Sequence, residues 1–245
     1  LIYAVMIVGE GEVDRYLDSV VARVMRWADK LHIALAPNAD AERHVTFVDS
    51  VQYLRVSADE NEAMAKNDAW LDMAHAFAPT EEDLIAFVKP TEVILDGEAV
   101  RAAAREYPGL ALRVKLVHLW DEDHIRIDGA WEPSDETVFV PFKRGASYPD
   151  YRLRCGRLPT YHFQHPYHGI PVSYMLDYDM MSFRDKIRKN EWFERVGGAD
   201  FWSIDHIQSI QRTPTLRIWR KGGLLNAKED DGRRDTGSVE PVRRG

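Results

Sequence analysis

The 245-residue sequence has a single cysteine, Cys155, which excludes an intrachain disulfide and any multi-cysteine zinc site. That usage fits a reducing compartment, so a cytoplasmic location is expected. With no evident catalytic partner in sequence, Cys155 is expected to be a buried apolar residue. Long hydrophobic runs are also missing. No stretch reaches the roughly twenty apolar residues of a spanning helix, and the opening run Leu1 to Val8 lacks the pattern of a secretory signal. No membrane span is expected. Positive charge is not in surplus either: 32 Lys+Arg against 40 Asp+Glu give a formal charge of −8. Such a surface has no general attraction for nucleic acid or anionic membranes. The turn Gly9-Glu10-Gly11-Glu12 lacks a third glycine and a Lys-Ser/Thr ending. It is neither a dinucleotide fingerprint nor a P-loop, although its backbone is free to approach a nucleotide.

What the chain does have is apolar material, 45% of residues, with 11% aromatic, enough for one domain with a large core or one domain plus a small appendage. In the first half, continuous apolar runs alternate with helical periodicity, the sign of a parallel sheet covered on both faces. Strands are expected at 2–8, 31–35, 51–57 and 84–88. Between the first two, Val13, Tyr16, Leu17, Val20, Val21 and Val24 recur at helical spacing. A helix is expected over 60–77 with Met64, Trp70, Leu71, Ala74 and Phe77 inward, and Asp96 is placed to cap another that ends near Glu106, before Pro108-Gly109. From residue 110 the runs lengthen, "LALRVKLVHLW" and "ETVFVPF", around the polar loop "DEDHIRIDGAWEPSD". Residues 180–210 read as helical, with Phe183, Ile187, Phe193, Phe201, Ile204 and Ile207 buried, and 221–245 read as a flexible polar tail.

The order of strand, Gly/Glu turn, amphipathic helix and strand, followed by "AKNDAW" before another buried strand, resembles the family 2 glycosyltransferases of GT-A fold. Ala65, Lys66 and Asn67 match that family's A-[RK]-N helix start. The segments "VHLWDEDHIRIDGAWEP", "YPDYRLRCGRLP" and "IPVSYMLDY" are similar to phage-encoded members, particularly from actinobacterial phages. The resemblance implies an α/β fold, GT-A-like: a nucleotide-binding, Rossmann-like half with a mostly parallel central sheet (1–97) and a mixed α/β acceptor half (98–220). It implies a transferase that moves a sugar from a nucleotide-sugar donor to an acceptor hydroxyl on a protein or glycan, a phage virion protein being one candidate, in host cytoplasm if phage-encoded. The alternative is a non-catalytic binding or assembly protein of the same fold that has lost the donor-metal site.

That alternative stays open because the family's acidic metal motif after the fourth strand becomes Lys89, Pro90, Thr91 and Glu92, of which only Glu92 keeps the acid. The second strand's nucleotide-holding Asp falls at or near Leu35, with Asp40 the nearest acid, and a late metal-site His becomes Asp177, a carboxylate that suits Mg²⁺ or Mn²⁺. A divalent metal is therefore doubtful, and two readings of Lys89 stay open: a cation facing phosphate in metal-independent transfer, or a surface or salt-bridging lysine in a site that has lost its chemistry. By resemblance the donor site is Gly9, Glu10, Asp40, Lys66, Asn67, Lys89, Thr91 and Glu92. An inverting transfer needs a carboxylate base facing the donor sugar, and the acidic loop offers Asp121, Asp123 and Asp128, with Asp121 or Asp123 preferred. Trp120, Trp131 and His168 are the acceptor-binding candidates; the alternative is tryptophans packed inward. His162, His165 and His168 recur every third residue, but Pro166 interrupts any helix that would align them on zinc.

Overall fold

Seven consecutive residues with nearly no solvent exposure form β1 (Ile2–Val8), which lies between β2 (Lys30–Leu35) and β4 (Leu84–Val88), parallel to both. A strand with sheet neighbours on both edges and helices on both faces can hold only apolar side chains, which is why these runs do not alternate. The computed structural model describes residues 1–9, 16–37, 39, 48–58, 60–149, 156–164, 170–179, 181–182, 184, 186–187, 191 and 213–219. The helix α1 (Leu17–Val24) turns Leu17, Val20, Val21 and Val24 inward, as its spacing requires. Outside β2 lies β3 (Ser50–Tyr53), also parallel, shorter than the expected 51–57 and alternately exposed because it is the sheet edge.

The helix α2 (Glu62–Phe77) starts on Asn61, whose side chain accepts from the Met64 amide at 3.0 Å. Its buried face is Ala63, Ala65, Ala69, Trp70 and Met73, and the expected Met64 and Leu71 are 43% and 64% exposed. The ring of Trp70 decides the face by stacking on Phe87 and Phe142, at 6.2 and 5.5 Å between centroids, while the alanines allow close approach. After β5 (Glu92–Ile94), Asp96 caps α3 (Gly97–Glu106) through the Ala99 amide at 2.9 Å.

The second half comprises β6 (Leu112–His118), β7 (His124–Arg126), a 3-10 turn at Gly129–Trp131, β8 (Ser134–Pro141), the short α4 (Thr160–Gln164), β9 (Ile170–Asp177) and β10 (Leu216–Ile218). One eight-stranded sheet runs β3-β2-β1-β4-β8-β6-β9-β5, and β7 pairs with β10 in a separate ribbon. The β8 strand is antiparallel to both β4 and β6, and β9 is parallel to β6, so the carboxyl ends of β1, β2, β4, β6 and β9 share one edge. Running the opposite way, β5 and β8 bring their amino ends there. The chain is therefore α/β, with parallel strands followed by a mixed part of the same sheet.

Two apolar clusters lie on the sheet's two faces, and the edge-to-face contact of Trp27 with Phe139, at 5.1 Å, ties α1's end to β8. Ile187 is 44% exposed rather than buried, while Phe183, Phe193, Phe201, Ile204, Ile207, Cys155 and the 221–245 tail lie outside the described residues. No helix among the described residues is long and apolar enough to cross a membrane.

Candidate functional site

The shared strand edge brings Lys89, Thr91, Glu92, His118 and Asp177 together. Asp177 at the end of β9 is paired in register with Glu92 on one side and His118 on the other. Buried to 2% exposure, it accepts from Thr91 Oγ1 at 3.2 Å and the Asp179 amide at 3.0 Å through Oδ1. Its Oδ2 lies 3.5 Å from Lys89 Nζ and 3.3 Å from His118 Nδ1, although the imidazole is misaligned for a hydrogen bond and Nδ1 is buried without one. Lys89 Nζ is also 3.4 Å from Glu92 Oε1, yet its side chain keeps 49% exposure. Partial burial pulls its ammonium down, but Asp177 first, then Glu92 and Asp179, more than offset this and raise it above the usual lysine range.

Glu92 is held differently. Arg157 Nη1 and Nη2 each donate to one of its oxygens at 2.7 Å, and the Lys89 amide donates to Oε2 at 2.9 Å. Burial pushes this carboxyl up, but the Arg157 guanidinium and then Lys89 bring it down to about 2. Arg157 completes its fork with Glu136 at 3.0 and 3.2 Å and with the Phe87 carbonyl at 2.8 Å. Sequence reasoning did not single out Arg157, Glu136 or His118. Two of them had a signal: Arg157 its place in "YPDYRLRCGRLP", and His118 its position at the end of the long apolar run before the acidic loop.

A divalent metal does not fit the described residues. Both Glu92 oxygens are occupied by Arg157, the Lys89 ammonium sits beside the remaining carboxylate, and no group of three His, Cys, Asp or Glu stands ready to hold an ion among the described residues. Among the described residues, Asp177 is joined by no set of fellow ligands for a metal.

Lys66 and Asn67 do not face the edge as free donors. Asn67 Oδ1 accepts the Tyr148 amide at 2.7 Å and its Nδ2 donates to the Tyr148 carbonyl at 3.3 Å, while Lys66 pairs with Glu62 and donates to the Gly156 carbonyl. They clamp the segment that leads to Arg157. Gly9 follows β1 at the shared edge, and Leu35, paired with Val8, is fully buried there. Glu10, Asp40, His165 and His168 lie outside the described residues, and His162 is buried on α4.

In the acidic loop, Trp120 and Trp131 are buried, at 7% and 4% exposure, and are not open platforms for a sugar. The guanidinium of Arg126, itself 1% exposed, lies over both rings at 4.5 and 5.6 Å, and Lys186 Nζ covers Trp120 at 4.3 Å. Asp128 takes two hydrogen bonds from Arg126, at 2.7 and 3.0 Å, which hold it below the usual carboxylate range. Asp121 accepts from the Asp123 amide and from the amide and ring of His124; burial pushes it up, but these bonds bring it down. Asp123 is exposed, and its amide is the group spent on Asp121. Asp121 and Asp128 are thus already engaged, and a carboxylate so engaged is a weaker base.

This is an α/β sheet with a charged cluster at the carboxyl ends of its parallel strands, the end at which open α/β sheets generally bind ligands. No protein-family model matches the sequence, and no curated protein matches it. Among solved structures it is similar to Staphylococcus aureus TarS, at 12% identity and TM-score 0.47 over 86% of this chain and 42% of that one. It is also similar to TarS 1–349 in complex with UDP-GlcNAc, at 10% identity and TM-score 0.44 over 86% of this chain and 70% of that one. A third is Rv0371C of Mycobacterium tuberculosis H37Rv in complex with manganese, at 13% identity and TM-score 0.42 over 76% and 96%. The chain spans less than half the length of TarS. Likeness at this level carries neither activity nor substrate across.

Proposed function

We propose that this chain is a nucleotide-sugar-using transferase of GT-A type that works without a divalent metal. The observation that supports it is the half-exposed Lys89 ammonium at the carboxyl edge of the parallel strands, held beside Asp177 and Glu92. In the reaction, the acceptor oxygen bonds to the anomeric carbon, the bond from that carbon to the diphosphate oxygen breaks, and the electron pair leaves with the diphosphate. Lys89 stabilises that departing charge as a compact cation. Asp123 takes the acceptor proton. Gly9 brings backbone to the donor by its place after β1, while Lys66 and Asn67 act on the donor site from behind. His168 is assigned to the acceptor side, and the acceptor itself is a protein or glycan hydroxyl, a virion protein being one candidate.

A panel of nucleoside diphosphate sugars, scored by thermal unfolding with and without Mn²⁺, tests this, because a ligand that binds only the folded state raises its apparent stability. At least one donor should stabilise the protein equally in both conditions. Stabilisation only with Mn²⁺ would overturn the metal-free reading, and none from any donor would leave the non-catalytic alternative.

A further inference from the structure

Of the two cations in the crevice, Arg157 makes short bonds and Lys89 makes long ones, and the difference has a consequence for ligands. Arg157 has five N–H groups, and all five are used: two on Glu92 at 2.7 Å, two on Glu136 at 3.0 and 3.2 Å, and one on the Phe87 carbonyl at 2.8 Å. None is left for a phosphate. Lys89 Nζ stands 3.4 and 3.5 Å from its carboxylates, well outside the roughly 2.7–2.9 Å of a tight charge-assisted bond. The ammonium is steadied but not captured, and half of its side chain remains exposed.

We propose that Arg157 is a positioning residue for the crevice: by occupying both oxygens of Glu92 it keeps that carboxylate from closing on Lys89, and so leaves the ammonium turned toward a phosphorylated ligand. This rests on the reading of Lys89 as the phosphate-facing cation. Without Arg157, Glu92 would be a buried carboxylate with only the Lys89 amide on Oε2 and with an ammonium 3.4 Å from Oε1, and Lys89 would move in to pair with it. The backbone half of the arrangement survives in either case, because Glu92 Oε2 also takes the Lys89 amide.

The position of Arg157 is itself set from α2. Tyr148 donates its hydroxyl to the Arg157 carbonyl at 2.7 Å, Asn67 pairs with both backbone groups of Tyr148, and Lys66 donates to the Gly156 carbonyl. The Lys66-Asn67 pair therefore reaches the crevice through three links: Tyr148, Arg157 and Glu92. It touches no ligand and fixes the residue that frees Lys89.

The test uses the full chain, with inorganic pyrophosphate, UDP and GDP as calorimetric probes and thermal unfolding as the control for folding. Wild type should bind at least one probe, and Lys89→Ala should weaken it by on the order of tenfold or more. Arg157→Met should weaken it comparably, and adding Glu92→Gln to Arg157→Met should restore most of the affinity, since the neutral amide no longer draws in the ammonium. Glu92→Gln removes a negative charge in either background, so its effect in wild type sets the purely electrostatic gain, and its gain in the Arg157→Met background should be severalfold larger. If wild type binds none of the probes, or Lys89→Ala is silent, the phosphate reading of Lys89 fails and the proposal with it. If Lys89→Ala weakens binding but Glu92→Gln gains no more in the Arg157→Met background than in wild type, the proposal fails alone. Should Arg157→Met not fold, Arg157→Lys, which keeps the charge but not the two-pronged hold on Glu92, decides by the same comparison: a larger gain from Glu92→Gln upholds the proposal, and an equal one overturns it.

Discussion

Along β1, β2 and β4 the buried strand positions are apolar apart from His32, whereas β5, β7 and β9 bury Glu92, Arg126 and Asp177. The parallel strands are enclosed by helices and neighbours, so a charge there has nowhere to meet water or a partner. The mixed part of the sheet, which β5 joins by pairing with β9, ends its strands at an open edge, and each buried charge has been given a partner: Arg157 for Glu92, Asp128 for Arg126, Lys89 and Thr91 for Asp177. One half supplies the platform and a single lysine. The other supplies the charges that decide how that lysine is presented.

The contact that joins the halves should carry the largest effect. Phe139→Ala empties a fully buried site against Trp27 and should lower stability by about 3–5 kcal/mol in urea unfolding. If the halves were energetically separate, the loss would appear as two transitions instead of one shifted midpoint.

The mixed half should also be the acid-sensitive one. The folded carboxyl of Glu92 is lowered from 4.5 to about 2, so the unfolded chain binds the proton first as pH falls. Its contribution is complete above pH 4.5 and is lost as pH falls through that value toward about 2, an amount on the order of 3 kcal/mol. Unfolding free energy measured across this range should fall less steeply in Glu92→Gln.

Arg126→Ala removes the guanidinium between the tryptophans and should cost about 1.5–3 kcal/mol, the range for hydrogen bonds to charged groups. Quenching of Trp120 and Trp131 fluorescence by acrylamide should rise as the loop loosens. Asn67→Ala breaks the clamp on Tyr148 and should cost about 1 kcal/mol, with faster amide exchange at Tyr148 as the local readout. An unchanged exchange rate would dissolve the link between α2 and the crevice.

The smallest effect falls in the parallel half. Burial lowers His32, against the opposing pull of Asp72 and Gln52, so its stabilising contribution is full above the ordinary value of 6.5 and diminishes as pH falls below it. His32→Gln should remove this upper part of the acid dependence and leave the Glu92 part, separating the halves by pH alone.

Periodicity along the chain was enough to locate β1, β4, α1's inward residues and the Asp96 cap, because burial on a strand or helix face is written in residues a few positions apart. It misplaced the face of α2, where Met64 and Leu71 fit the helical spacing but Trp70 already fills the contact with Phe87 and Phe142. It gave no sign of β5, β7 or β10, each three residues long and held by a partner strand rather than by its own pattern. The run Lys89 to Glu92 was legible in the same way, by its place after an apolar strand. What Lys89 does there was not. That Glu92 belongs to Arg157, 65 residues away, that Asn67 anchors the segment bearing it, and that Asp177 lies between Glu92 and His118 are all decided by the order of strands in the sheet, since the pairing of buried charges follows proximity in the folded chain and has no local period to announce it.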